Sequence, residues 1–528
     1  MLKGVKKAGA ITMAAVLGTT IALTGCSGGD TKKADEGKPK SEQGGTKEQR
    51  KVVLSTIKNY YTTALKQIAK DYTALHPETT VEIEIIADNA TYAQNFTTKM
   101  SADKKTAPDI VHTNLLGVAD EGALIPKGWL AGLDDLLNES NPYNGGKKVR
   151  DAIDSKYLAL AVGSSGKTPY LPFDLVGLGV YYNKTIFNKV GVKPPATIEE
   201  FVEVSGKLKA AGYNAPIGAS SFNGWLVLSL ADWAYRKDAD KMLTLPGDGR
   251  FDEQTMAKNK DVKYSADNAM FDETAIFDPE KIIALSKTVP MNSPVNEKIW
   301  STYKSLAQFF PKGWSTPDDG QTYSQFMAQN VPMFIFGSWQ VGTILGDMQK
   351  LAKDKTFEWG TFKFPKFAKE DPNFPGEPRS LLVAGHKLGL SQKDDPEQYK
   401  RASDFLKYVY SPEIAAKIYD ITIKSGEYVQ GPSLITGVKL SDEINSYLDG
   451  FKAKGNMRTE YSDLAGAAKL EADKPLASDQ EVKYVEGKLD WSEFAKGLEK
   501  FTGNVMNDRV KKFGYDLNPK TAEKEPAK

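Results

Sequence analysis

Between Lys51 and Thr113 the chain switches repeatedly between two hydrophobic periods, and this alternation restricts the folds open to it. "KVVLS" (51–55) is β-rich, and Ile57, Tyr61, Leu65, Ile68, Tyr72 and Leu75 follow at the three-to-four spacing of an amphipathic helix. His76-Pro77 ends that helix, because the residue before a proline is pushed out of the helical region. "VEIEII" (81–86) has period two, a second helix is expected over about Tyr92–Ala102, and "APDIVHT" (107–113) supplies another short strand. The order β-α-β-α-β predicts a parallel sheet with right-handed crossovers.

The alternation resumes further on. "GVYYNK" (179–184) reads as a strand, and "TIEEFVEVSGKLKAAG" (197–212) as a helix with Thr197 and Glu200 at capping-box spacing and Gly212 at its end. "APIGAS" (215–220) is a strand, followed by a helix over Trp225–Tyr235. Residues 237–295 are polar and irregular and read as an insertion. "VPMFIFGSWQ" (331–340) is a buried strand running into a turn and a helix, and "SPEIAAKIYD" offers Ser411 as N-cap and Pro412 at the first helical position. No solenoid repeat is visible. A chain of 528 residues is too long for one core, so two α/β lobes are expected.

The only cysteine, Cys26, follows a leader in which Lys3, Lys6 and Lys7 precede the apolar run Ala8–Leu23. That run has signal-peptide length and is short of the ~20 residues of a membrane span. "LTGC" (23–26) resembles the bacterial lipobox, which implies lipidation of Cys26 after removal of residues 1–25; an ordinary secretory signal with an incidental cysteine is the alternative. A body otherwise free of cysteine fits export. Residues 26–50 then form a polar tether unable to bury enough surface to order itself, and the tail "NPKTAEKEPAK" is expected to fray. Without the leader, 66 basic face 68 acidic side chains, and this near-neutral, interspersed balance gives no footprint for nucleic acid.

Motifs of catalysis are decoys here. "GSSGKT" (163–168) lacks the first glycine of a phosphate loop, and Pro169 stands where the helix should begin. Ser164 and Lys167 have an S-x-x-K spacing, but the same proline forbids its helix and the companion motifs are missing. His76, His112 and His386 show no ligand or triad spacing, and Asp238, Asp240, Asp248 and Asp252 miss the EF-hand pattern. No cofactor, metal site or catalytic residue is expected.

The stretch "YYNKTIFNKVGVKPPATIEEFVEVSGKLKAAGYNAPIGASSFNGW" (181–225) resembles the family 1 extracellular solute-binding proteins of ABC importers, the group that includes maltose-binding protein. "PDIV" (108–111) with "GALIP", "FGSWQVGTILG" (336–346) and "LGLSQKDDPEQYKRASDFLKYVYSPEIAAKIYD" (388–420) resemble it too. The 237–295 insertion and the C-terminal part depart from it. The resemblance implies a two-lobed periplasmic-binding-protein-like α/β fold, with hinge strands and an interlobe ligand cleft. Lobe one would hold 51–173 plus 382–430, and lobe two 174–381 plus 431–528. It further implies a monomer that carries a carbohydrate, an oligosaccharide above all, to ABC permease subunits from the outer side of the membrane. An exported glycosidase and a binding protein for a non-sugar solute are the alternatives.

Strand-end positions nominate the ligand contacts, since open α/β sheets bind ligands beyond the carboxyl ends of their strands. Asp174 falls at the first interlobe crossing, as a sugar ligand contact or a solvated turn residue. Trp339 stands where the family often places an aromatic platform, and Trp225 and Asn223 follow "APIGAS"; core packing is the alternative for both tryptophans. A tryptophan can lie against the C–H face of a pyranose while its hydroxyls meet polar rims. Thr56 follows the first strand, Asn89 and Tyr92 the second, Thr113 and Asn114 the third. Arg379 and Tyr428 lie near the crossovers.

Overall fold

The strands form two sheets that exchange chain at a shared edge. The computed structural model describes residues 50–163, 165–467 and 479–521. The leader, Cys26 and the tether through residue 49, as well as Ser164 and residues 522–528 of the tail, lie outside the described residues. In chain order the strands are β1 (Arg50–Ile57), β2 (Thr79–Ile86), β3 (Ile110–His112), β4 (Leu171–Pro172), β5 (Leu175–Asn183), β6 (Ile217–Gly218), β7 (Met333–Gly337), β8 (Trp359–Phe362), β9 (Leu382–Ala384) and β10 (Lys387–Leu390). The first sheet has the order β2-β1-β3-β10-β4; the second runs β6-β7-β5-β8, with β9 also paired to β5.

β1 pairs in parallel with both β2 and β3, as the alternation of periods requires. The helix Thr62–Leu75 buries Leu65, Ile68 and Tyr72 on the first sheet, and the helices Pro396–Val409 and Pro412–Lys424 add Phe405, Leu406 and Ile418 to the same core. In the second lobe Thr197 caps the helix Ile198–Ala210 by accepting the Glu200 N–H at 3.1 Å, and Glu200 accepts the Ala196 N–H at 2.7 Å. Residues 237–295 do not stand apart from that lobe. Met242, Phe271, Phe277 and Ile282 enter its core, together with Tyr461, Leu464, Phe494 and Leu498 from the C-terminal part. Each large apolar side chain so buried contributes about 1.5–3 kcal/mol.

Two boundaries differ from the sequence reading. β1 continues to Ile57, so Thr56 lies inside the strand rather than after it. The second helix begins at Asn89, because Asp88 caps it by accepting the Thr91 N–H at 2.8 Å.

Three extended segments lie side by side where the sheets meet. Phe173 N–H donates to the His386 carbonyl at 2.8 Å, and Gly385 N–H to that of Asp174 at 2.9 Å. A third segment joins them through Leu175 N–H to Pro432 O and Leu434 N–H to Phe173 O, each 2.9 Å. The register then fixes which strand ends face this hinge. His112 and Pro172, at the carboxyl ends of β3 and β4, sit opposite Leu388 and Lys387 at the start of β10, directly after the crossing. Gly337, at the carboxyl end of β7, sits opposite Leu178 near the start of β5, and β6 runs parallel to β7. The carboxyl ends of β3, β4, β6 and β7 therefore open toward one hinge.

Candidate ligand cleft

On the lobe-two wall, three half-buried aromatic rings cluster at the ends of β6 and β7. The Phe222 centroid lies 5.0 Å from that of Phe336 and 5.5 Å from that of Trp339, and the Phe336–Trp339 distance is 5.7 Å, all near-perpendicular. Glycine at 337 is what permits this, since a Cβ there would lie 2.0 Å from the Trp339 ring. Ser338 fixes the turn: its N–H donates to Gly177 O at 2.9 Å, its Oγ accepts the Gly177 N–H at 3.1 Å, and its hydroxyl donates to Gln430 O in the third hinge segment.

On the lobe-one wall the end of β1 turns sharply. Asn59 (φ 65°) and Tyr61 (φ 56°) occupy the left-handed region, which costs a non-glycine residue about 1–2 kcal/mol. Packing and hydrogen bonds offset that cost. Tyr61 donates its hydroxyl to Asp174 and accepts the Gln430 N–H at 3.2 Å, while its ring stacks on His386 at 4.5 Å. Tyr60 sits edge-on to both His112 and His386 and accepts the Asn114 amide at 3.0 Å. Two histidines with no spacing relation in sequence thus stack at 4.3 Å inside the hinge. Burial pushes His112 down to about 3, and burial with the neighbouring His112 holds His386 well below the ordinary range.

Several of the expected ligand contacts have polar atoms already bonded within the protein. Asp174 is fully buried: Oδ2 takes the Tyr61 hydroxyl, Oδ1 accepts the His386 N–H at 2.7 Å, and burial raises the carboxyl to about 7. It is a hinge residue, not a solvated turn. Arg379 is also fully buried, with its guanidinium between Asp232 and Asp272. Thr56 donates to Tyr60 O at 2.9 Å, and the Tyr92 hydroxyl accepts the His112 N–H at 2.9 Å, so both brace the sheet. Asn223 accepts from the Ser220 N–H and hydroxyl and donates to Gly218 O, holding the turn that carries Phe222. Thr113 is buried as well, but its hydroxyl has no hydrogen-bond partner among the described residues.

Trp339, Asn114 and Tyr428 are half-buried and Asn89 is exposed, with the Tyr428 N–H on Asn59 O at 3.0 Å. Trp225 is half-buried and lines a cavity of about 20 Å³ with Leu178, Ile335 and Phe364. Sequence reasoning missed Asn59, Tyr60, Tyr61, Phe222 and Phe336; the "NYY" ending β1 and the two phenylalanines flanking known strand ends were the available signals. Larger cavities lie elsewhere. One of about 1030 Å³ is at the amino ends of the lobe-one strands by Lys51 and Lys393, and one of about 560 Å³ flanks lobe two by Trp314 and Gln321.

Comparison with known proteins agrees with this geometry. The family model described as bacterial extracellular solute-binding protein matches residues 58–416. The multiple sugar-binding protein of Streptococcus mutans is 24% identical over 360 residues, 68% of this chain and 70% of that one. The sn-glycerol-3-phosphate-binding periplasmic protein UgpB of Yersinia pseudotuberculosis is 25% identical over 313 residues, 56% of this chain and 60% of that one. The apo form of RafE from Streptococcus pneumoniae, at 19% identity, matches with a TM-score of 0.56 over 88% of this chain and 99% of its own. With a family match from the first lobe through the second, and two sheets opening on one hinge, the chain belongs to the bacterial extracellular solute-binding proteins.

Proposed function

We propose that the chain is the substrate-binding component of an ABC importer and that it captures a carbohydrate, above all an oligosaccharide, in the interlobe cleft. The observation that carries this reading is the Phe222–Phe336–Trp339 cluster at the strand ends of lobe two, with the amide side chains of Asn89 and Asn114 following strand ends of lobe one. Aromatic faces exclude water from the C–H face of a sugar, and neutral amides both donate to and accept from its hydroxyls. The lobes exchange at Asp174, at Gly385–His386 and over Gln430–Ser433, and ligand contacts made only when the lobes close shift that equilibrium. The permease reads the closed form across the rims of both lobes and receives the ligand chemically unchanged. Cys26 carries the lipid that holds this monomer at the outer face of the membrane.

A thermal-shift screen with raffinose, maltotetraose, xylotetraose and sn-glycerol 3-phosphate tests the ligand class. A bound sugar at a hundred times its dissociation constant stabilises the fold by about 2.7 kcal/mol, an easily resolved rise in melting temperature. The sugar should be recovered uncleaved, and Trp339→Ala and Phe222→Ala should each abolish the shift. A response to glycerol 3-phosphate alone would overturn the saccharide reading.

A further inference from the structure

The inserted region carries a turn, Ala269–Glu273, that is bolted to lobe two from three directions. Arg379, just ahead of β9, donates through Nη1 to Ala269 O at 3.1 Å and to Asp272 Oδ1 at 2.5 Å, while Nε donates to Asp232 of the helix Trp225–Tyr235 at 2.9 Å. From the C-terminal part, Tyr461 donates its hydroxyl to Asp272 Oδ2 at 2.6 Å and the Asn456 N–H reaches Glu273 Oε1 at 3.0 Å. Gly455 lies so near Ala269 that a Cβ would come within 2.5 Å of its carbonyl oxygen.

What this rigid turn presents is Met270, and Met270 does not face lobe two alone. It packs against a small buried cluster made of Tyr157, from the helix Ser155–Leu160, and of Leu175, Leu382 and Leu434 at the hinge, which Leu160 also borders. That helix belongs to lobe one. Val149, Ala152 and Ile153 just ahead of it sit in the first core, and Asp154 N–H donates to Leu434 O at 2.8 Å. The turn therefore brings an apolar side chain from lobe two onto lobe one, beside the three segments about which the lobes can rotate.

We propose that the Ala269–Glu273 turn is an interlobe latch: by seating Met270 against the cluster that contains Tyr157 it stabilises one arrangement of the lobes and sets how readily the cleft changes state. A contact made in one arrangement only biases a two-state hinge whatever the ligand. The same latch then acts on affinity without touching the ligand, because affinity scales with the fraction of binding-competent protein.

The test measures lobe separation in the absence of sugar, so its outcome is independent of the carbohydrate reading. Full-length chain carrying Cys26→Ser, Lys66→Cys and Lys207→Cys, labelled at the two exposed helix positions, reports the distance distribution by single-molecule energy transfer. Met270→Ala and Tyr157→Ala should each change the ratio of the two populations about tenfold, and the double variant should add little, as for two partners in one contact. Leu160→Ala is the substitute if either single variant fails to fold. Distributions indistinguishable from the parent, or fully additive effects, would overturn the latch.

Discussion

Asp174→Asn isolates the chemistry of the hinge. Burial raises the Asp174 carboxyl from its ordinary 3.8 to about 7, against the lowering pull of the Tyr61 hydroxyl and the His386 N–H. The folded chain thus keeps a proton that the unfolded chain releases over this interval. The stability tied to the neutral carboxyl is complete below the unfolded value and is lost as pH rises through 7. At about 1.4 kcal/mol per pH unit, the loss between pH 4.5 and 8 is on the order of 3 kcal/mol. His112 has the opposite sign: held down to about 3, it contributes stability above pH 6.5 that is lost as pH falls toward 3. Both histidines are present in parent and variant, so they cancel in the difference. Asparagine keeps an acceptor for the His386 N–H and cannot ionise. The stability of Asp174→Asn relative to the parent should therefore rise by about 3 kcal/mol from pH 4.5 to 8, read from urea unfolding midpoints and slopes at stepped pH. A difference that stays flat across that range would refute the buried, protonated carboxyl.

Three further perturbations separate ligand contact from scaffold. Trp339→Ala should weaken binding of the responding sugar by about 2 kcal/mol, roughly thirtyfold by calorimetry, and leave the apo unfolding midpoint nearly unchanged because the ring is only half-buried. Arg379→Met should do the reverse. It removes the guanidinium between Asp232 and Asp272, leaving Arg236 at 3.9 Å from the first and the Tyr461 hydroxyl on the second, at about 3–5 kcal/mol in urea unfolding. Gly342→Ala should destabilise by about 1–3 kcal/mol or more, since the new Cβ would sit 1.9 Å from the Glu427 carbonyl oxygen and must push the helix Gln340–Lys350 off the hinge segment.

The sheets were legible where periodicity is local. β1, β2 and the helix between them declare themselves within 36 residues, and Thr197 with Glu200 announces a helix start that the hydrogen bonds match. β8 was not read, because "EWGTFKF" carries a glycine and no clean alternation, and its place comes from pairing with β5. The third hinge segment, "QGPSLI" (430–435), has turn residues and no period; partners more than 200 positions away make it extended. A like separation hid the stacking of His112 and His386, and one of more than 100 positions hid the meeting of Phe222 with Phe336 and Trp339.

Arg379 shows what a sharper reading would have used. Its partner Asp232 stands alone in the apolar helix "WLVLSLADWAY", and a carboxylate there must be paired, since an uncompensated buried charge is too costly to keep. Arg236 at i+4 comes only to 3.9 Å, and Arg379 supplies the hydrogen-bonded partner. Applied across the expected contacts, that logic sorts them by satisfaction rather than by strand position. Asp174, Thr56, Tyr92, Asn223 and Arg379 have their polar atoms met by the protein, so each holds the frame. Trp339, Asn89 and Tyr428 keep exposed or half-buried surface near the hinge-facing strand ends, as does Asn114, although its amide already bonds the Tyr60 hydroxyl and the Lys387 N–H.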